Sequence, residues 1–330
     1  MIISKTPYRL SFFGGGTDFV DWYKENESMV ISAAMNYHCY ISVKRQVGFF
    51  DYKSRVAYSN IELVKDNKDI KHPSVRECLK YFRFENGLDI HHVGELPAQS
   101  GIGSSSSFTV GLLNAIHALQ NIPVSKSTLA EEAIYVEQEM INEAVGVQDQ
   151  ITAAYGGINV IKLGPGKRRT VKKIPLSFAY KEYIKRSILL GYTGQARDGL
   201  SLMKKHKGNI SSGLSTHLLI EINSTTEEAY KLFEKEEDID KIGKLLKHSW
   251  EIKRQFVSDI ESERFNQIYE IALKNGAFGG KLMGAGAQGF FYFLAHPSKH
   301  GKIKEKLPGV KVWVPMHLSE KGSTILKISR

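Results

Sequence analysis

Apolar positions change period several times along the chain, and the changes predict its elements. Ile2-Ile3 and Leu10-Ser11-Phe12-Phe13 read as strand, Gly14-Gly15-Gly16 interrupts them, and residues 29–31 and 37–43 resume strand character. Leu88-Asp89-Ile90-His91-His92-Val93 alternates and runs out at Pro97, so it is a strand leading into a loop. Val110, Leu113, Ile116 and Leu119 then form the apolar stripe of a long helix. A second helix is expected to open at Thr128, with Glu131 closing a capping box, and to run to about residue 142. Gly164-Pro165-Gly166, a basic run and Pro175 mark a domain boundary, giving domains 1–175 and 176–330. Beyond it, Ile188-Leu189-Leu190-Gly191-Tyr192 reads as a buried strand, 218–245 and 265–275 as helices, and 290–294 and 310–314 as strands, with Gly276 as a helix stop. No strict βαβ alternation is present, which predicts an α+β fold rather than a doubly wound sheet.

Four segments carry candidate chemistry. Pro97-Ala98-Gln99-Ser100-Gly101-Ile102-Gly103-Ser104-Ser105-Ser106-Ser107 is a strand-to-helix loop. Its glycines allow close backbone approach, and its serines sit where free N–H groups and the positive helix end meet an anion. It is a phosphate loop by physics, though not of the Gly-Lys-Ser/Thr type, and a serine-rich helix cap is the other reading. Gly279-Gly280-Lys281-Leu282-Met283-Gly284-Ala285-Gly286-Ala287-Gln288-Gly289 contains a literal dinucleotide fingerprint. A helix precedes it and a strand follows, the reverse of the order that binding needs, so a nicotinamide dehydrogenase is rejected. In Arg9-Leu10-Ser11-Phe12-Phe13-Gly14-Gly15-Gly16-Thr17-Asp18, Arg9 stands among apolar neighbours and should face a site, while Asp18 could meet a polyol or cap a turn. Glu137 alone reads as helix-surface charge. Asp149, leaving that helix between Val147 and Ile151, could be a general base if it meets the phosphate loop.

Composition narrows the function. The 330 residues are 42% hydrophobic and 10% aromatic, enough for two packed domains. No run of about 18 apolar residues and no signal peptide appear, so no membrane partner is expected. With only Cys39 and Cys78, both as reduced thiols, the chain is expected to be cytoplasmic. The net charge of +10 lies in scattered lysine and arginine groups without interleaved aromatics, which argues against nucleic acid and suits small anionic ligands.

In this order and spacing the segments resemble the three signature motifs of the GHMP kinases, the superfamily of galacto-, homoserine, mevalonate and phosphomevalonate kinases. Within it, Ile70-Lys71-His72-Pro73, Gly146-Val147-Gln148-Asp149-Gln150, Tyr192-Thr193-Gly194-Gln195-Ala196-Arg197 and Ser249-Trp250 are similar to the sugar 1-kinases that act on D-glycero-D-manno-heptose 7-phosphate. The galactokinases' Glu-His pair is replaced by Gly15-Gly16, and two glycines of the third motif by Ala287 and Gln288. The resemblance implies a ribosomal protein S5 domain 2-like N-terminal domain and a ferredoxin-like C-terminal one. It implies ATP held by Gly101 through Ser107, Mg²⁺ held by Ser105 and Glu137, and Asp149 as base with Arg9 stabilising the alkoxide. The sugar phosphate would meet Gly14, Gly15, Gly16, Thr17, Asp18, Arg197, Gly284, Ala285 and Gly286. A homodimer is left open. So are a 1-kinase for fucose or an N-acetylhexosamine, and an inactive sugar- or nucleotide-binding regulator. If Arg197 clamps a remote phosphate, Arg197→Ala lowers kcat/KM for the heptose 7-phosphate about ten- to hundredfold and leaves KM for ATP unchanged. Steady-state kinetics with phosphorylated and unphosphorylated sugars check this.

Overall fold

A computed structural model describes residues 1–194, 208, 210, 216–256, 263–284 and 289–327. Arg197 and 285–288, with Ala285, Gly286, Ala287 and Gln288, lie outside the described residues. The strands are β1 (Ile2–Phe13), β2 (Ser28–Arg45), β3 (Ser54–Ala57), β4 (Ile61–Val64), β5 (Leu88–Gly94) and β6 (Ile158–Gly164). They continue as β7 (Arg168–Lys173), β8 (Ile188–Tyr192), β9 (Ala277–Leu282), β10 (Phe290–Ala295), β11 (Val312–Val314) and β12 (Thr324–Lys327). An eight-stranded sheet runs β12-β1-β2-β5-β3-β4, with β6 beside β2 and β7 beside β6. A four-stranded antiparallel sheet runs β11-β8-β10-β9. The α+β expectation holds, and the second sheet with its helices is ferredoxin-like.

Several elements are longer or placed differently than the apolar pattern predicts. β1 is unbroken from Ile2 to Phe13, and β2 runs 18 residues because its first half pairs with β6 and its second with β5. Pairing with β1 on one edge and β6 on the other carries β2 through Ser32, and at Asn36, between the paired stretches, the amide donates to the His317 carbonyl. The helix expected to open at Thr128 spans Lys126–Tyr135, and its cap is Ser125, whose Oγ accepts from the Thr128 amide at 3.0 Å. The predicted 218–245 helix is two, Thr216–Glu234 and Ile239–Phe256, separated where Glu236 takes φ +51°. Asp149 lies in the first turn of a helix, Gln148–Tyr155, rather than after the end of one. Gly279 to Leu282, read as the start of a glycine loop, belong to strand β9.

The helix Ser104–Leu119 lies under β1 and β2, with Val110, Leu113 and Ile116 fully buried. Helix Ile239–Phe256 covers β9 and β10. The two sheets meet through Phe12, whose ring stands edge-on to Phe233 at 5.4 Å and to Tyr292 at 6.1 Å. The chain also returns from the small sheet to the large one, where β12 pairs with β1. Cys39 and Cys78 are buried free thiols.

Helix Ile239–Phe256 and β9 approach without side chains between them. A Cβ on Gly279 would stand 2.0 Å from the Gly243 carbonyl oxygen, which belongs to that helix. Gly279→Ala therefore forces helix and strand apart, and we expect a loss of about 1–3 kcal/mol in urea-induced unfolding.

Candidate active site

Pro7 cannot donate to a sheet ladder, and the β1–β2 register shifts between Pro7 and Arg9. The shift turns the Arg9 amide out of the ladder to donate to the Ile102 carbonyl at 3.1 Å, which fastens the 97–107 loop to β1. Gly103, with φ +70°, precedes helix Ser104–Leu119, and no side chain caps that end. The first-turn amides of this 16-residue helix are therefore left without a side-chain cap, as anion binding requires, and the serine-cap reading falls away. The four serines differ in task. Ser104 Oγ accepts from the Gln99 amide, Ser107 Oγ donates to the Pro7 carbonyl, Ser105 is exposed, and Ser106 is buried against Glu137.

Arg9 is 5% exposed and grips Asp149 in a fork, Nε to Oδ1 at 2.5 Å and Nη2 to Oδ2 at 3.1 Å. Its Nη1 donates to the Gly101 carbonyl. Asp149 Oδ2 lies 3.0 Å from where a Cβ on Gly103 would be. The expected meeting of Asp149 with the phosphate loop is thus observed, in a pocket lined also by Ser11, Gly15, Gly16 and Gly284.

Asp18 borders this pocket, but backbone amides take both its oxygens: Gly16 to Oδ1 at 3.0 Å and Gln148 to Oδ2 at 3.2 Å. Burial, against the pull of the Gly16 hydrogen bond, raises its carboxyl above the ordinary range. A Cβ on Gly146 would fall 2.0 Å from Asp18 Oδ2, so the glycine makes room for the carboxylate. Asp18 ties the glycine turn to the helix that carries Asp149; of its two sequence readings, the cap describes it. Thr17 is buried and its hydroxyl donates to the Gly14 carbonyl at 2.8 Å, so Gly14 and Thr17 build the turn from inside rather than face a ligand.

Glu137 is not helix-surface charge: it is 0% exposed. It lies in a π-helical stretch, Val136–Met140, that continues helix Lys126–Tyr135, a distortion common at functional sites. Its Oε2 accepts from Ser106 Oγ at 2.8 Å and Gln150 Nε2 at 2.5 Å, while its Oε1 is buried with no hydrogen-bond partner of good geometry among the described residues, the Thr109 hydroxyl lying near the carboxyl. Ser106, not the expected Ser105, is the serine beside it, because that serine faces the helix interior. Burial first, then the Glu143 charge, pushes the Glu137 carboxyl up to about 8. An orphaned carboxylate oxygen beside a hydroxyl is a donor set that suits an oxygen-seeking cation needing few protein ligands.

Two lysines escaped the sequence reading. Lys253 and Lys281 are both buried in the pocket wall. Lys253 Nζ donates to the Gly284 carbonyl at 3.2 Å and Lys281 Nζ to the Phe12 carbonyl at 3.2 Å. Burial above all lowers both amines, Lys253 to about 8 and Lys281 well below the ordinary range. A signal existed: Lys253 falls on the apolar stripe of Ile242, Leu246 and Trp250, and Lys281 interrupts an apolar strand. Gly284 reaches the site by contact with the phosphate loop, since its Cβ would stand 2.6 Å from the Gly101 Cα.

Residues 73–157 match the GHMP kinases N terminal domain and residues 229–310 the GHMP kinases C terminal. The chain belongs to the GHMP kinases and is an ATP-dependent phosphotransferase. It is similar to the D-glycero-alpha-D-manno-heptose 7-phosphate kinase of Campylobacter jejuni, with 28% identity over 310 residues, 90% of each chain. With the L-fucokinase/L-fucose-1-P guanylyltransferase of Bacteroides fragilis it shares 26% identity over 264 residues, which are 77% of this chain and 27% of that protein. In fold it is similar to a D-glycero-D-manno-heptose 1-phosphate kinase from Bacteroides thetaiotaomicron, with a TM-score of 0.81 over 100% of both chains at 20% identity. Among the described residues no helix is long and apolar enough to cross a membrane.

Glu137 has a consequence for stability. Its folded value, about 8, lies above the ordinary 4.5, so the unfolded chain releases this proton first. Its stabilising contribution is full below 4.5 and is lost as pH rises to about 8. Glu137→Gln removes that slope, so the metal-free variant should gain stability over wild type as pH rises from about 5 to 8. Urea unfolding at several pH values measures this, and parallel curves for the two proteins would contradict it.

Proposed function

We propose that the protein is a sugar 1-kinase that moves the γ-phosphoryl group of ATP to the anomeric hydroxyl of D-glycero-D-manno-heptose 7-phosphate, giving the 1,7-bisphosphate for nucleotide-activated heptose synthesis. The observation that carries this is the Arg9–Asp149 fork held against Gly101 and Gly103 of the phosphate loop. Phosphoryl transfer asks for in-line positioning and charge neutralisation more than for covalent help. The open amides after Gly103 receive the triphosphate. Asp149 takes the proton from the anomeric hydroxyl as its oxygen forms the bond to the γ-phosphorus, and the ADP oxygen leaves with the electron pair. Arg9 fixes the rotamer of Asp149 and places positive charge beside the developing alkoxide. Mg²⁺, held by Glu137 and the adjoining Ser106 hydroxyl, would neutralise the triphosphate. Glu137 would present for this the oxygen that has no partner among the described residues, giving up the proton that burial keeps on its carboxyl.

The sugar assignment rests on the relative from Campylobacter jejuni and on a pocket with three cations, Arg9, Lys253 and Lys281, against two carboxylates, Asp18 and Asp149. An inactive regulator would have no need of Arg9, Asp149 and the phosphate loop assembled in one pocket. The protein is incubated with Mg-ATP and a panel of heptose phosphates, fucose and N-acetylhexosamines, and phosphorus NMR locates the new phosphate. A signal at C1 of the heptose 7-phosphate supports the assignment. Transfer to fucose or an N-acetylhexosamine in its place would reassign the substrate.

Asp149→Asn keeps the shape of the side chain and removes the base. Turnover should fall by about two or more orders of magnitude while ATP binding and folding stay near wild type. Near-normal turnover of the folded variant would take Asp149 out of the base role.

A further inference from the structure

Lys253 is hard to explain as a structural residue. Burying an ammonium is costly unless acceptors or opposite charges compensate it. Among the described residues its Nζ has one acceptor, the Gly284 carbonyl, for its three N–H groups. That carbonyl belongs to the glycine stacked on Gly101, so the ammonium is anchored beside the phosphate loop. On its other side lies the space left by Gly15. A Cβ there would be 4.0 Å from Lys253 Nζ, 3.7 Å from Ser11 Oγ and 3.6 Å from Gln148 Nε2. Gln148 is buried, and its Oε1 has no partner among the described residues. The Lys253 ammonium therefore stands between the Gly284 carbonyl, which rests on the 97–107 loop, and the polar groups around Gly15. Arg9 is less available for that group, since Nε and Nη2 hold Asp149 and Nη1 donates to Gly101.

We propose that Lys253 is a second catalytic cation, whose ammonium meets the equatorial oxygens of the phosphoryl group as it passes from ATP to the acceptor. This rests on the kinase reading above. The groups facing the ammonium are Arg9 from β1, Asp18 from the glycine turn, Asp149 from helix Gln148–Tyr155 and Lys281 from β9. Burial first, then the Arg9 charge, brings the Lys253 amine down to about 8, against the opposing pull of Asp18 and Asp149. The charge is thus present at neutral pH and is lost above it.

The test compares wild type, Lys253→Met and Lys253→Arg at saturating Mg²⁺. The Met variant should lose about a hundredfold in kcat, the scale of one preorganised donor to a developing charge, with both KM values within about threefold of wild type. The Arg variant should recover much of kcat. It should also lack the fall in kcat/KM that wild type shows above about pH 8, because a guanidinium does not titrate there. Unchanged kcat in the Met variant, or a raised sugar KM with kcat kept, would overturn the proposal. So would an alkaline limb that persists in the Arg variant. Sugar-independent hydrolysis of Mg-ATP is followed in parallel. It needs the cation and no sugar, so a drop in the Met variant supports Lys253 even if the acceptor is not a heptose, and an unchanged hydrolysis rate contradicts it.

Discussion

The site depends on one interaction, the forked ion pair between Arg9 on β1 and Asp149 at the start of helix Gln148–Tyr155. Arg9 is buried, and a lone guanidinium is costly to bury, so the carboxylate of Asp149 compensates its charge. The same guanidinium reaches the Gly101 carbonyl, and the Arg9 amide reaches that of Ile102. Asp149, the guanidinium and the 97–107 loop are therefore located by one side chain and its own peptide group. A fork of this kind also sets orientation, which a single lysine contact would not.

Around this pair the protein concentrates buried charge: Asp18, Glu137, Lys253 and Lys281 each have a value displaced by burial. A protein optimised for stability alone would replace such groups with apolar ones of similar volume. Asp18, Lys253 and Lys281 line one pocket beside this pair, and perturbed ionisation gathered around one cavity goes with chemistry. Each is held by a specific short contact: Asp18 by backbone amides, Glu137 by Ser106 and Gln150, and the lysines by carbonyls.

The two sheets are joined where the site needs them joined. Phe12 packs on Phe233 and Tyr292, the Phe290 amide donates to the Ser100 carbonyl, and Gly284 rests on Gly101. The phosphate loop is thus braced from the second half of the chain as well as from β1. Close backbone approach at Gly101 and Gly284 explains why the third glycine motif lies beside the second, although nearly two hundred residues separate them.

Local sequence was enough for the features that depend on local forces. The apolar stripe of Val110, Leu113 and Ile116 specified its helix, the glycines and serines of 97–107 specified a turn into that helix, and Arg9 among apolar strand residues is found buried beside a pocket. Motif order also determined the GHMP kinase family. Tertiary structure decided everything that depends on partners distant in sequence. The full length of β2 follows from pairing on two edges, and strand β9 forms where the glycines alone read as loop. Which serine meets Glu137 depends on which side of a helix faces another element, so the sequence suggested Ser105 where the fold presents Ser106. Lys253 and Lys281 join the pocket only because their helix and strand close over β1. Burial, and the shift in ionisation that follows from it, is a property of the surroundings, and only the folded chain supplies those.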